Sequence, residues 1–175
     1  MSSDKKWTFW LVILDFTTGQ SRYTIEEIGT VNTLDNLYQY YKTLPKMNEI
    51  KRNQGKYGSI GFFQNGIKPA WEDPNNKNGG SYEFLVKTEI VNDVWRDLLL
   101  VAFGGTIGNN NSSINDKICG IKISPKRLNE SYMVEIWCKE GGETIADHVY
   151  DQLSKLPSLT NKLKKEDVKY SKYGQ

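Results

Sequence analysis

The stretch GIKPAWEDPNNKNGG, residues 66–80, sets Trp71 directly before two carboxylates, Glu72 and Asp73, and then runs into Asn, Lys and paired glycines. Its prolines and glycines forbid a long helix or strand, so the ring and the carboxylates belong to a loop. A loop tryptophan either caps a core from outside or offers its ring to a ligand. With Glu72 adjacent the second use gains weight, because an indole face attracts a cation and a carboxylate accepts its N–H donors. A flat, hydrogen-bonding cation is the ligand that this pair suits.

A second constellation comes from alternation along two strands. In residues 132–139, Tyr132, Val134, Ile136 and Cys138 share one face, while Met133, Glu135, Trp137 and Lys139 share the other. In CGIKISPK, Ile121 and Ile123 point one way and Lys122, Ser124 and Lys126 the other. If the aliphatic face is covered, the open face presents Trp137 among lysines, and rings interleaved with basic side chains suit a nucleotide.

Other chemistries find little support. His148 is the single histidine, so zinc-ligand spacing is missing and a Ser-His-Asp or Cys-His nucleophile would rest on that one ring. Within ETIADHVYDQLSKL it reads as a half-buried helix residue. FGGTIG, 103–108, follows a helix rather than opening one, so its glycines read as a C-cap and not as a phosphate loop. A hydrolase acting on nucleotides with Mg²⁺ needs several convergent carboxylates, and Glu72 with Asp73 is one adjacent pair. Neither catalysis nor a metal or cofactor is expected.

The elements that must position these residues follow from periodicity. Leu34, Leu37, Tyr38, Tyr41 and Leu44 recur at helical spacing, with Asn32 as N-cap and Asp35 as its N3 partner. NDVWRDLLLVAFGG predicts a helix capped by Asn92 and ended by Gly104 or Gly105, and a third runs from about Glu143 to Leu156 before Pro157. Runs rich in β-branched and aromatic residues predict strands at 7–16, 23–28, 58–64, 82–90, 118–126 and 131–139. Strands in groups with helices between them argue for an α+β fold with a largely antiparallel sheet and helices on one face.

With 175 residues, 38% of them hydrophobic, the chain is expected to form one domain, with a core over about 7–157 and a basic tail over about 158–175. Five Trp and ten Tyr exceed what such a core demands, whereas a net charge of +2 is too mild to argue for duplex DNA. Two cysteines and an N-terminus without a signal-type apolar region predict a reduced, cytoplasmic protein. The apolar run Trp7–Phe16 is about half of what a bilayer span requires.

WTFW, TVNTLDNLYQYY, GIKPAWEDPNNKNGGSYEF, VWRDLLLVAFGG, ICGIKIS and VEIWCKE occur in an order and spacing that resemble the eukaryotic translation initiation factor 4E family, over roughly residues 7–157. The resemblance implies a curved, mainly antiparallel eight-stranded sheet with three long helices on its convex face. It implies a monomer, away from membranes, that binds the 7-methylguanosine cap of mRNA for translation initiation, or a relative that binds caps and represses. Residue by residue, Trp71 matches one ring stacking on the methylated base and Glu72 the carboxylate reading the guanine edge. Trp137 matches the contact to the N7-methyl group, and Tyr23 is taken as the second stacking ring, with Phe16 in reserve. Lys126 matches a phosphate ligand, with Arg127 and Lys122 assisting, while Ser81 and Met133 stand where the family carries cations. Leu34, Tyr38 and Arg96 fall in the dorsal site for helical peptides of initiation factor 4G or 4E-binding proteins, with Tyr38 in place of a tryptophan.

Overall fold

The computed structural model describes residues 2–107 and 111–174, apart from the side chains of residues 2–4 and of Arg127. Its strands are β1 (Ser2–Asp15), β2 (Arg22–Thr33), β3 (Arg52–Asn53), β4 (Lys56–Gln64), β5 (Gly80–Lys87), β6 (Ile118–Pro125), β7 (Ser131–Cys138) and β8 (Lys169–Lys172). They form one antiparallel sheet in the order β2-β1-β4-β6-β7-β5-β8, with β3 paired to β4 beside that path. The helices are α1 (Leu34–Thr43), α2 (Val91–Phe103), the single turn α3 (Ser112–Asn115) and α4 (Ala146–Ser154). The fold is α+β as expected, with one short helix more than the three long ones.

Local differences have local causes. β2 runs on through Asn32, so Thr33 caps α1 instead, its hydroxyl accepting the Asn36 N–H at 3.2 Å. Asn92 does not cap α2; its side-chain oxygen accepts the Asn48 N–H at 3.1 Å, tying a preceding loop to the helix. The third helical pattern opens with a 3₁₀ turn, Gly142–Ile145, before α4, and His148 is exposed rather than half-buried. Gly104 ends α2 and Gly105 follows at φ 71°, a C-cap as read from FGGTIG, whose last residue lies outside the described ones. β3 and β8 carry too few patterned residues to be legible in advance.

The main core lies between the sheet and the long helices. Phe9, Phe62, Ile121 and Ile136 face Leu37, Trp95, Leu98 and Val149, with Trp7 stacked on Phe62 at 5.0 Å. Leu159 and Leu163, from the expected tail, are buried in the same core.

The helix-free face holds a second, smaller core of Trp10, Phe63, Ile67, Cys119 and Trp137, against which Ile25 and Tyr173 pack. Trp10 is therefore a core residue, but on the side opposite Trp7. Register carries that face across the strands: Gly120 pairs with Trp137 and Trp137 with Ser81, and Lys122 pairs with Glu135 and Glu135 with Glu83.

Close backbone approach explains the paired glycines. A Cβ on Gly79 would lie 1.8 Å from the Cys138 carbonyl oxygen, and one on Gly80 would lie 2.3 Å from that of Ser171. These glycines hold the end of the Trp71 loop against β7 and β8 and are not a phosphate cradle. Gly79→Ala should therefore destabilise the protein by about 1–3 kcal/mol, the usual cost of forcing atoms into a packed site. Urea unfolding followed by fluorescence measures it, and an unchanged midpoint would mean that the strands can part at no cost.

Candidate functional site

Residues 66–79 form a loop pinned from within. Ile67 is 5% exposed and plugs into the second core, and Pro69 lies over Gly61 of β4. Asn76, fully buried, donates its side-chain amide to the carbonyls of Lys68 and Ala70, both at 2.8 Å. Asp73 accepts the N–H groups of Lys68 and Asn75 and the Asn75 side-chain amide at 2.9–3.1 Å. The two carboxylates thus have different work: Asp73 is spent on the loop, and Glu72 is exposed, with no hydrogen bond or ion pair to any described residue.

Trp71, beside it, is 55% exposed. An indole that an internally bonded loop holds in solvent has not been recruited to a core, which is the costly arrangement unless the ring is used otherwise. Tyr23 is 65% exposed and pairs with Leu14 on β1, which places it on the helix-free face with Ile25 and Trp10. Among the described residues no ring lies against Trp71 or Tyr23. Phe16, 40% exposed, sits differently, its ring 6.4 Å from that of Tyr57.

Trp137 requires a correction. It lies on the predicted face but is not presented by it, being 5% exposed beneath Tyr173 at 4.8 Å and against Phe63 at 5.5 Å. The cause is β8: the tail adds a strand to the β5 edge, the Tyr173 N–H donates to the Gly79 carbonyl at 2.9 Å, and the ring folds over Trp137. Burial pushes the Tyr173 hydroxyl well above the ordinary phenol range. Tyr173 is the site-bordering residue that sequence reasoning missed, and the Lys-Tyr alternation of KYSKY was its faint signal.

Lys122 requires a second correction. Instead of facing a ligand it pairs with Glu135 at 3.2 Å, the two side chains 13% and 14% exposed, and its ammonium lies 5.2 Å from the Trp137 ring centroid. Ser81, also on this face, donates its hydroxyl to Glu83 at 2.9 Å. Lys126 remains exposed at the end of β6, and the Arg127 side chain lies outside the described residues. Cys119 supplies no nucleophile, since burial pushes its thiol up to about 12, and no cluster of three His, Cys, Asp or Glu forms among the described residues.

The opposite side of the molecule carries a groove of about 400 Å³ lined by Leu34, Tyr38, Leu99, Leu100 and Arg96. Tyr38 is 57%, Leu34 43% and Leu100 48% exposed, while Arg96 is held by Asp93 at 3.2 Å and by buried Asp97 at 3.1 Å. The three residues expected of a dorsal site are thus brought together.

An open sheet backed by helices, with an indole and a carboxylate pinned on a loop at its bare face, defines an α+β recognition module. The profile of the eukaryotic initiation factor 4E family matches residues 3–174, and the chain belongs to that family. It is 25% identical over 169 residues to eukaryotic translation initiation factor 4E of Candida albicans, covering 93% of this chain and 76% of that protein. It is 30% identical over 148 residues to factor 4E-1 of Triticum aestivum, covering 82% of this chain and 62% of that one. Of the Eremothecium gossypii factor the chain spans 61%. The fold superposes on Ascaris suum eIF4E-3, solved with an m7G cap, with a TM-score of 0.78 at 17% identity, covering 99% of this chain and 92% of that one. Schistosome eIF4E, solved with m7GpppA and 4E-BP, gives 0.78 at 19% identity over 98% and 87% of the two chains. No helix among the described residues is long and apolar enough to cross a membrane.

The division of labour between the carboxylates is testable without ligand. Asp73→Ala should cost about 1–3 kcal/mol, because it removes the charged acceptor of three loop donors, two of them partly buried, whereas Glu72→Ala should stay within about 0.5 kcal/mol. Chemical denaturation of the two variants measures the difference, and equal losses would mean that Glu72 is also structural.

Proposed function

We propose that this protein binds the 7-methylguanosine cap of mRNA, without catalysis, by holding the base between Trp71 and Tyr23 while Glu72 reads its edge. The observation that carries the proposal is the pair formed by an exposed indole and an unpartnered carboxylate on a loop whose internal bonds keep both in place. A guanine methylated at N7 carries a delocalised positive charge. Stacking is worth about 1–3 kcal/mol per base, and cation–π attraction adds about 2 kcal/mol where the face is desolvated. Glu72 accepts from the N1–H and the exocyclic amine, and the Trp71 backbone N–H donates to O6. Trp137, under Tyr173, serves as floor to this slot and reaches the methyl group only at its edge.

The dorsal groove suits the apolar face of a helical peptide, such as those of initiation factor 4G or of 4E-binding proteins; 4E-BP and the 4E-binding protein Mextli are the partners in two of the solved relatives' complexes. Both roles carry with them a cytoplasmic location. Arg96, fixed by two aspartates at the groove's lip, favours a second reading in which caps are bound and factor 4G is not recruited. A pull-down with a factor 4G peptide separates the two.

Tryptophan-fluorescence titration tests the first reading. 7-Methyl-GTP should bind at least about tenfold more tightly than GTP, and equal affinities would remove the stacking assignment. Glu72→Ala should weaken 7-methyl-GTP binding by at least about 1.4 kcal/mol, as two guanine donors lose a charged acceptor. Tyr23→Ala should cost more than Phe16→Ala; the reverse order would make Phe16 the second ring.

A further inference from the structure

The helix-free face is poorly furnished for a polyphosphate at its centre. Ser81 and Met133 are neutral, Lys122 is neutralised by Glu135, and Glu83 stands directly across from Glu135. Two carboxylates in that row repel phosphate oxygens, and screening over about 8–10 Å does not reach between groups this close. Arg52 and Lys126, which make no ion pair among the described residues, line a cleft of about 230 Å³ with Tyr57 and Ser124; Glu83 and the Lys122–Glu135 pair line the same cleft, so phosphates are to be held on its Arg52 and Lys126 side.

That corner is built rather than accidental. Asn129, at φ 56°, accepts the Arg52 N–H on its side-chain oxygen at 2.6 Å and donates its amide to the Arg52 carbonyl at 3.1 Å. Both backbone groups of Arg52 are thereby clamped to the β6–β7 connection, which begins at Lys126. From this position the Arg52 guanidinium lies over the Tyr57 ring, 4.9 Å from its centroid, with Phe16 tilted against the same ring. Tyr57 pairs with Leu14, the residue that also pairs with Tyr23, so this stack and the Tyr23 ring share one face of the sheet.

We propose that the Tyr57–Arg52 stack is the subsite for the first nucleotide after the cap. The base lies on the outer plane of the guanidinium, and Lys126 together with the N–H edge of Arg52 holds the bridging phosphates. The proposal rests on the cap-binding reading above and deepens it. A guanidinium whose inner face is taken by a phenol ring keeps its planar outer face for a base and its donor edge for phosphate oxygens. The ligand class is a capped RNA with a purine at its first position, since the larger base covers more of the plane. The β3 strand, only two residues long, then has a purpose: it delivers Arg52 to the clamp.

The test compares two ligands of equal charge, 7-methylguanosine triphosphate joined to adenosine and the same molecule lacking the adenine. Wild-type protein should bind the complete dinucleotide about fivefold or more tightly. Arg52→Lys keeps the charge and loses the plane, so the ratio of the two affinities should fall to about one, whatever phosphate affinity both ligands lose in common. A wild-type protein that binds both ligands equally, or an Arg52→Lys variant that retains the preference, overturns the subsite alone. If neither ligand binds while the protein is folded, the cap-binding reading falls and the subsite with it.

Discussion

A sheet whose strands carry apolar side chains on both faces must cover both, and the long helices cover one. The remaining face is sealed by the small core of Trp10, Phe63, Ile67, Cys119 and Trp137. Most of what distinguishes the candidate site follows from that requirement. Ile67 enters this core and so brings down the loop that bears Trp71 and Glu72; Tyr173 enters from the C-terminal strand and so closes over Trp137. Gly120 permits the packing, because a Cβ there would sit 2.3 Å from the Phe63 ring. Burying these aromatics is worth on the order of 1.5–3 kcal/mol each, enough to hold a loop and a tail that have little regular structure of their own.

The same face shows how electrostatics divides a surface. Lys122 and Glu135 are close to buried and pair with each other, an arrangement in which desolvation offsets most of the attraction and neither charge is left for a ligand. The exposed groups, Glu72, Lys126 and Arg52, keep their charges available. Charge at the site is thus carried at its edges, by a loop, a strand end and a clamped short strand, with a neutralised middle. Membership of the eukaryotic initiation factor 4E family sets the architecture, and this distribution is where the chain shows its own character.

Much was legible in the residues themselves. Alternation along β6 and β7 separated Ile121, Ile123, Val134 and Ile136 from Lys122, Ser124, Glu135 and Trp137, and the structure keeps that division because side-chain direction in a strand has a period of two. The Trp71–Glu72 loop was readable for the same kind of reason: prolines and glycines act on the nearest residues, so their meaning is local. Helix positions held while their caps shifted, since a cap depends on where the preceding strand stops, as Thr33 rather than Asn32 shows.

What the tertiary structure alone decided was which of those side chains are available. A period-two pattern says that Trp137 and Lys122 share a face and says nothing of what will lie over that face. The cover comes from Tyr173, just past a strand paired to β5 from the far end of the chain, and from Glu135, a cross-strand neighbour whose register depends on the whole sheet. The Asn129 clamp on Arg52 joins residues 77 positions apart, beyond the reach of any local rule. Sequence by itself thus determined the chemistry of each side chain and the face it takes. Long-range pairing decided which of them are buried, neutralised or left exposed, because burial and charge pairing depend on neighbours that only the folded chain brings together.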